Sequence, residues 1–279
     1  FIDNKAVGGN GGVSPPISTS SYYGGSGGSS VFGGGAARKY WGSGRSNNGG
    51  FGGGGSGNNG YNDTAAGRAG GNGGFGGGGG GGEASYDLVY PQRKRYPAGS
   101  GGVGGMFAGN GSTGGLGNAP TSWNRGYDPA PGTGGGGAGL GGSIFIKAGT
   151  LTVKNSSFEA SEARGGLGGT GAHSNISNGE PGQGVGGAIF VYQGALLNSW
   201  GGVSYSGSSA QTSDADYYIM EGAEYDTTLP VVSGMFVGQV NEGDVSPATG
   251  SLSITDADAD DNPSFEDVAL SGDYGALAL

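Results

Sequence analysis

The 279-residue chain holds 74 Gly and no Cys, with 12 Lys plus Arg against 22 Asp plus Glu. Glycine at about a quarter of the chain, where an average protein has roughly 7%, excludes ordinary globular packing throughout, and its occurrence in blocks such as 76–82 with only 11 Pro excludes a collagen triple helix. The missing cysteines exclude a disulfide framework, a thiolate zinc site and cysteine catalysis, and no apolar run reaches the roughly 18 residues of a spanning helix.

From the N-terminus, residues 1–12 (Phe-Ile-Asp-Asn-Lys-Ala-Val-Gly-Gly-Asn-Gly-Gly) align position by position with 158–169, sharing Phe, Ala and four Gly. The chain therefore starts in mid-repeat and is expected to lack both its ends. Residues 13–136 alternate oligoglycine with isolated aromatics such as Tyr22, Phe51, Tyr61 and Phe75. Lacking Cβ, glycine can lie in extended threefold helices close enough to bond backbone to backbone. A packed polyglycine, polyproline-II-like insertion is expected here, with an irregular loop as the alternative. The aromatics would cap its edges or face a partner.

The clearest repeat follows. Residues 137–151 match 182–196 at an offset of 45, Gly-Gly-Ser-Ile-Phe-Ile against Gly-Gly-Ala-Ile-Phe-Val, and Phe158 to Ala163 correspond to Tyr205 to Ala210 after two inserted residues. Each unit reads as three short strands between Gly and Asn corners, with apolar or β-branched residues alternating. That pattern predicts coils of a parallel β-helix over 137–212, with 1–12 as the end of another coil. Residues 213–230 read as an acidic linker; the expected fold class is all-β, with 231–279 taken as a partial β-sandwich only on the resemblance given below.

Charge is polarised along the chain. All 12 cations precede residue 165 beside 7 acids, and the other 15 acids follow with no cation, giving about +5 before residue 165 and about −15 after it. Such a chain either attracts copies of itself head to tail or carries an acidic, calcium-loaded C-terminal part beside a weakly basic one.

The Gly-Gly-x-Ile-Phe coils behind glycine tracts resemble the β-helix regions of large secreted bacterial surface proteins. From Val231 onward, Gly238-Gln-Val-Asn-Glu-Gly, Gly250-Ser-Leu-Ser-Ile-Thr-Asp-Ala-Asp-Ala-Asp-Asp-Asn-Pro-Ser-Phe265 and Leu270-Ser-Gly-Asp-Tyr-Gly-Ala-Leu-Ala-Leu279 resemble a VCBS repeat, a cadherin-like sandwich of long adhesins. The resemblance implies an extracellular, structural and adhesive protein, a segment or subunit of a surface filament with homotypic partners. A monomeric adhesin for a glycan or cell surface, including a phage-type tip adhesin, is the binding alternative; a β-helix polysaccharide-active enzyme is the alternative of another class.

Candidate sites follow from residue chemistry. Asp256, Asp258, Asp260, Asp261 and Asn262 gather hard oxygen ligands suited to Ca²⁺, although Asp261 stands where an EF-hand needs Gly. Asp214 and Asp216, with Glu221 and Glu224, form a second acidic group where calcium would stiffen a joint. Arg93, Lys94 and Arg95 are expected to pair with acidic surface of the same or a neighbouring copy in self-assembly, and Tyr40, Trp41, Trp123 and Tyr127 to stack on sugars. Lys147, Lys154, Glu159, Glu162 and Arg164 form no recognisable catalytic motif, and His173 has no partner at a known spacing, so no enzymatic activity is expected. Arginine is too sparse for a Gly-rich RNA-binding tail.

Overall fold

A computed structural model describes residues 1–13, 28, 47–57, 61–62, 67–85, 98–118, 128–171, 176–228, 230–234, 249–256, 264–265, 269–272 and 275–278. The described chain is all-β, without a helix, and its sheets are mostly parallel. β1 (Lys5–Val7) is followed in the glycine-rich part by β2 (Tyr61–Asn62), β3 (Ala84–Ser85), β4 (Gly115–Asn118) and β5 (Asp128–Ala130). The first repeat copy supplies β6 (Gly139–Leu140), β7 (Ile144–Ile146), β8 (Gly149–Lys154), β9 (Ser157–Glu159) and β10 (Glu162–Arg164). The second supplies β11 (Gly184–Val185), β12 (Ile189–Val191), β13 (Ala195–Trp200), β14 (Ser204–Ser206) and β15 (Ser209–Ala210). Then come β16 (Tyr217–Ile219), β17 (Glu224–Asp226), β18 (Val231–Gly234), β19 (Leu252–Thr255), β20 (Ala269–Gly272) and β21 (Gly275–Ala278).

The repeat becomes strand register. Ile144, Phe145 and Ile146 lie opposite Ile189, Phe190 and Val191, Leu151 opposite Leu197, Phe158 opposite Tyr205 and Ala163 opposite Ala210, all in parallel. The gap-free match would set Leu151 against Leu196; the structure shifts it to Leu197, because one inserted residue falls between β12 and β13 and the other between β13 and β14. The first seven residues join at the aligned positions, Lys5, Ala6 and Val7 opposite Glu162, Ala163 and Arg164. Side-chain alternation makes that register exclusive, since a slip of one residue would turn the buried set outward.

The acidic stretch read as a linker carries two further strands. β16 adds to β12 with Tyr217 opposite Ile189, and β17 adds to β13 with Glu224 opposite Leu196. Among the described residues the resulting parallel sheets are β16–β12–β7, β17–β13–β8, β1–β10–β15, β14–β9 and β11–β6, with Ile2 bridging to Glu159 beside β9 and Ser213 to Val185 beside β11. Their core is apolar: Ile146, Val153, Phe158, Ala188, Ile189, Val191, Ala195 and Leu197 are buried together, and burial of each larger side chain stabilises by about 1.5–3 kcal/mol. Phe158 is stacked between Phe1 (4.8 Å) and Tyr205 (5.3 Å), a ladder of one ring per copy.

The glycine-rich segments pack by a different rule. Gly76, Gly79 and Gly82 donate to the carbonyls of Met106, Gly109 and Ser112, while Gly77, Gly80 and Glu83 donate to Gly74, Gly71 and Arg68. On the acceptor side, Gly76, Gly79 and Gly82 receive the amides of Ala138, Gly135 and Gly132, and Gly77, Gly80 and Glu83 those of Gly105, Gly102 and Gly99. Gly78 donates to Gly28 and accepts from Gly55. Each neighbour thus recurs every third residue. A Cβ built on Gly80 would overlap the Ser56 carbonyl, and one on Gly135 the Gly109 carbonyl, so only glycine permits this spacing.

Near the C-terminal end, β18 pairs antiparallel with β19 and β20 with β21. These two pairs are the described part of the stretch expected as a sandwich.

Candidate functional site

Phe145, Phe190 and Tyr218 occupy the middle positions of β7, β12 and β16, so alternation turns them away from the face of Ile146 and Ile189. Their rings stack at 5.2 Å each. Against this ladder the glycine-rich segments present three tight turns. Gly53 donates to Gly50 around Phe51-Gly52, Gly77 to Gly74 around Phe75-Gly76, and Ala108 to Gly105 around Met106-Phe107. The third position of each turn has positive φ: Gly52 (73°), Gly76 (71°) and, without a glycine, Phe107 (64°). Placing a phenylalanine in that left-handed region costs about 1 kcal/mol; its contacts offset this. Phe107 lies 5.7 Å from Phe190 and 5.5 Å from Tyr218, edge to face. Phe75 reaches Tyr192 (4.8 Å), Phe51 (5.0 Å) and Phe190 (6.2 Å), and such pairs contribute about 0.5–1.5 kcal/mol each. Phe51, Phe75 and Phe107 are therefore anchors that dock the turns on the parallel strands.

Asparagine finishes the edges of the same lattice. The side-chain oxygens of Asn48, Asn72 and Asn110 accept the amides of Asn72, Val103 and Gly104 at 2.8–2.9 Å, and Asn10 and Asn178 accept those of Leu167 and Gly171. Glu83 is buried, with Oε2 accepting the Arg68 amide at 2.8 Å. Burial pushes its carboxyl above the usual carboxylate range, against the opposing pull of the Arg68 amide and guanidinium.

Three of the charged groups considered for catalysis, Glu162, Arg164 and Lys147, are engaged in structure. Glu162 meets Lys5 at 3.0 Å and Arg164 at 3.3 Å. Lys147 lies 4.5 Å over the Phe51 ring, a cation–π contact on one of the docked turns. Burial pushes the Tyr205 and Tyr225 hydroxyls up to about 12, so both rings stay neutral.

Of the calcium candidates, Asp256 accepts a hydrogen bond from the Thr228 hydroxyl at 2.6 Å, and Asp226 accepts the Thr228 amide at 2.9 Å. Asp258, Asp260, Asp261 and Asn262 lie outside the described residues, as do Arg93, Lys94, Arg95, Tyr40, Trp41, Trp123, Tyr127 and His173. Asp214 and Asp216 work through their backbones: the Asp214 carbonyl accepts the Gly187 amide, and the Asp216 carbonyl those of Ala188 and Ile189. Their side chains and those of Glu221 and Glu224 are exposed. Among the described residues no three His, Cys, Asp or Glu side chains are grouped to hold a metal, and no helix is long and apolar enough to cross a membrane.

Two features escaped the reading of the sequence. The turn signal was Gly-Gly-Phe-Gly-Gly at 49–53 and again at 73–77; the further strand signal was Ala215-x-Tyr-Tyr-Ile219, an echo of Ala188-Ile-Phe-Val191 at a shorter spacing. Neither protein-family models, nor curated proteins, nor solved structures gave a match to this chain.

Proposed function

We propose that the chain is a structural and adhesive extracellular protein, a segment or subunit of a surface filament. In this reading the parallel strands are β-helix coils, the glycine-rich part is a lateral bundle of polyglycine helices, and 231–279 belong to a VCBS-like sandwich. The observation that carries it is the use of backbone in the glycine lattice: period-three hydrogen bonding to several neighbours gives a rigid body from residues that offer no side-chain chemistry. The engagement of Glu162, Lys147 and Arg164 in ion-pair and ring contacts supports a non-catalytic role. Ca²⁺ held by Asp256 with Asp258, Asp260, Asp261 and Asn262 would stiffen the sandwich end.

Cryo-electron microscopy of the full chain with and without a calcium chelator tests the reading. Regular fibres that loosen on chelation are expected. Isolated particles indifferent to the chelator would overturn both polymerisation and calcium, and binding of those particles to a glycan array would make the chain a monomeric adhesin.

A further inference from the structure

Six Asn-Gly pairs stand in the chain, with asparagine at 10, 48, 59, 72, 110 and 178. Asn59-Gly60 lies outside the described residues; the other five sit at the edge of the glycine lattice and share one pattern of contacts. In each, the asparagine side-chain oxygen accepts the amide of a residue on the neighbouring segment: Leu167 for Asn10, Asn72 for Asn48, Val103 for Asn72, Gly104 for Asn110 and Gly171 for Asn178, at 2.8–3.0 Å. In each, the glycine that follows donates its own amide to that same segment, at 2.8–2.9 Å. Asn10-Gly11, Asn48-Gly49 and Asn72-Gly73 thereby grip both the N–H and the C=O of a single residue, respectively Leu167, Asn72 and Val103. Gly111 and Gly179 take the carbonyls of Gly102 and Gly169, each two residues before the amide that the asparagine holds.

An asparagine followed by glycine is open to attack by its own backbone, because glycine puts no side chain in the way. The glycine nitrogen attacks the asparagine Cγ: a C–N bond forms, the Cγ–Nδ2 bond breaks, and ammonia leaves with the proton that the glycine nitrogen gives up. Water then opens the resulting cyclic imide at either carbonyl, giving aspartate or isoaspartate with no electron gained or lost. Asn10, Asn48, Asn72 and Asn178 are exposed, so burial does not shield them from water. The paired contacts oppose the reaction at both reacting groups instead. One holds the asparagine side chain against the adjacent segment; the other commits the glycine N–H, whose proton must be lost, to a neighbouring carbonyl.

We propose that these five pairs are latent modification sites, silent while asparagine and glycine clamp the neighbouring segment and converted to isoaspartate when that segment lifts away. Isoaspartate carries an extra backbone carbon. Because the neighbours of a glycine segment recur every third residue, a segment lengthened in this way cannot regain its register. Opening of a lattice edge is thereby made irreversible. Asn110 is held at a further point, since its Nδ2, the leaving group, donates to Glu180 Oε2 at 2.7 Å.

The test follows the full chain in mildly alkaline buffer, folded and in guanidinium chloride, by peptide mapping that separates aspartate from isoaspartate. Mean conversion at the five pairs is expected to be at least about tenfold slower in the folded chain, as for groups that react only on local opening. A smaller ratio would overturn the proposal. Val103→Pro then assigns the protection to the clamp. Proline lacks the N–H that Asn72 Oδ1 accepts but keeps the carbonyl that Gly73 uses, and it fits an extended threefold backbone at this exposed position. The variant should keep its thermal transition and speed conversion at Asn72 by at least about threefold, the factor of one net hydrogen bond, while Asn10 and Asn178 keep the wild-type rate. Leu167→Pro, also at an exposed position, makes the same test at Asn10 with Asn72 and Asn110 as controls, so a failure of one variant to fold leaves the other to decide. A folded variant whose released asparagine reacts no faster would overturn the proposal as well.

Discussion

The parallel strands and the glycine lattice fill neighbouring space by opposite means. In the strands, the backbone bonds to one neighbour on each side and side chains such as Phe158, Ile189 and Leu197 form the core between them. In the lattice, residues 76–83 bond outward in rotation and the buried interior is backbone itself. The first region tolerates changes of side chain that conserve volume; the second tolerates no side chain at glycines such as Gly80 and Gly135, where a Cβ would overlap a neighbouring carbonyl. Their junction is the ring cluster of Phe51, Phe75 and Phe107 on Phe145, Phe190 and Tyr218, where the lattice acquires the apolar burial that glycine cannot supply.

The harshest test of that contrast is Gly80→Ala. Its Cβ would overlap a backbone carbonyl that no rotamer change can move, and a loss above about 5 kcal/mol in denaturant unfolding is expected. Gly50→Ala is the control: it has open space around the new atom and should change stability by no more than about 0.5 kcal/mol. Equal effects at the two positions would dissolve the distinction between the regions.

Phe190→Ala and Phe158→Ala separate the junction from the strand core. Both rings are fully buried, and each truncation should cost about 3–5 kcal/mol. Only Phe190→Ala should also speed amide hydrogen exchange at Gly76 to Gly82, because only Phe190 touches the docked turns.

Glu83→Gln probes the buried carboxyl that the lattice shows among its described residues. A raised folded-state pKa means that the native state binds the proton more tightly, so this group's contribution is full below the ordinary glutamate range. It is lost as pH rises through the Glu83 pKa. The variant should flatten the fall in melting temperature over that window and be the more stable form at neutral pH. The smallest effect is expected at Ala160→Gly. Ala160 sits at φ 50°, where the second copy has Gly207 at 62°, and relief of the left-handed alanine should stabilise by less than about 1 kcal/mol.

The strand register was legible because a sequence repeat is also a spatial one: identical apolar positions on stacked parallel strands must lie over one another, so the 45-residue offset named the partners of Ile144 and Phe145 before any coordinates did. The all-β class followed from the same strands. Tyr217 to Asp226 were hidden by composition, since acidic residues between β16 and β17 read as a linker while the backbone beneath them continued the sheets. The turns at Phe51, Phe75 and Phe107 were visible as interruptions of glycine, but not as a group. Oligoglycine has no side-chain pattern to distinguish one partner from another, and its hydrogen bonds run between segments far apart in the chain. Local sequence thus specified which strands repeat and where glycine is compulsory. Which glycine segment lies beside which, and that their aromatic turns converge on one ladder, was settled by packing, because backbone groups that are alike everywhere take their partners from the arrangement of the whole.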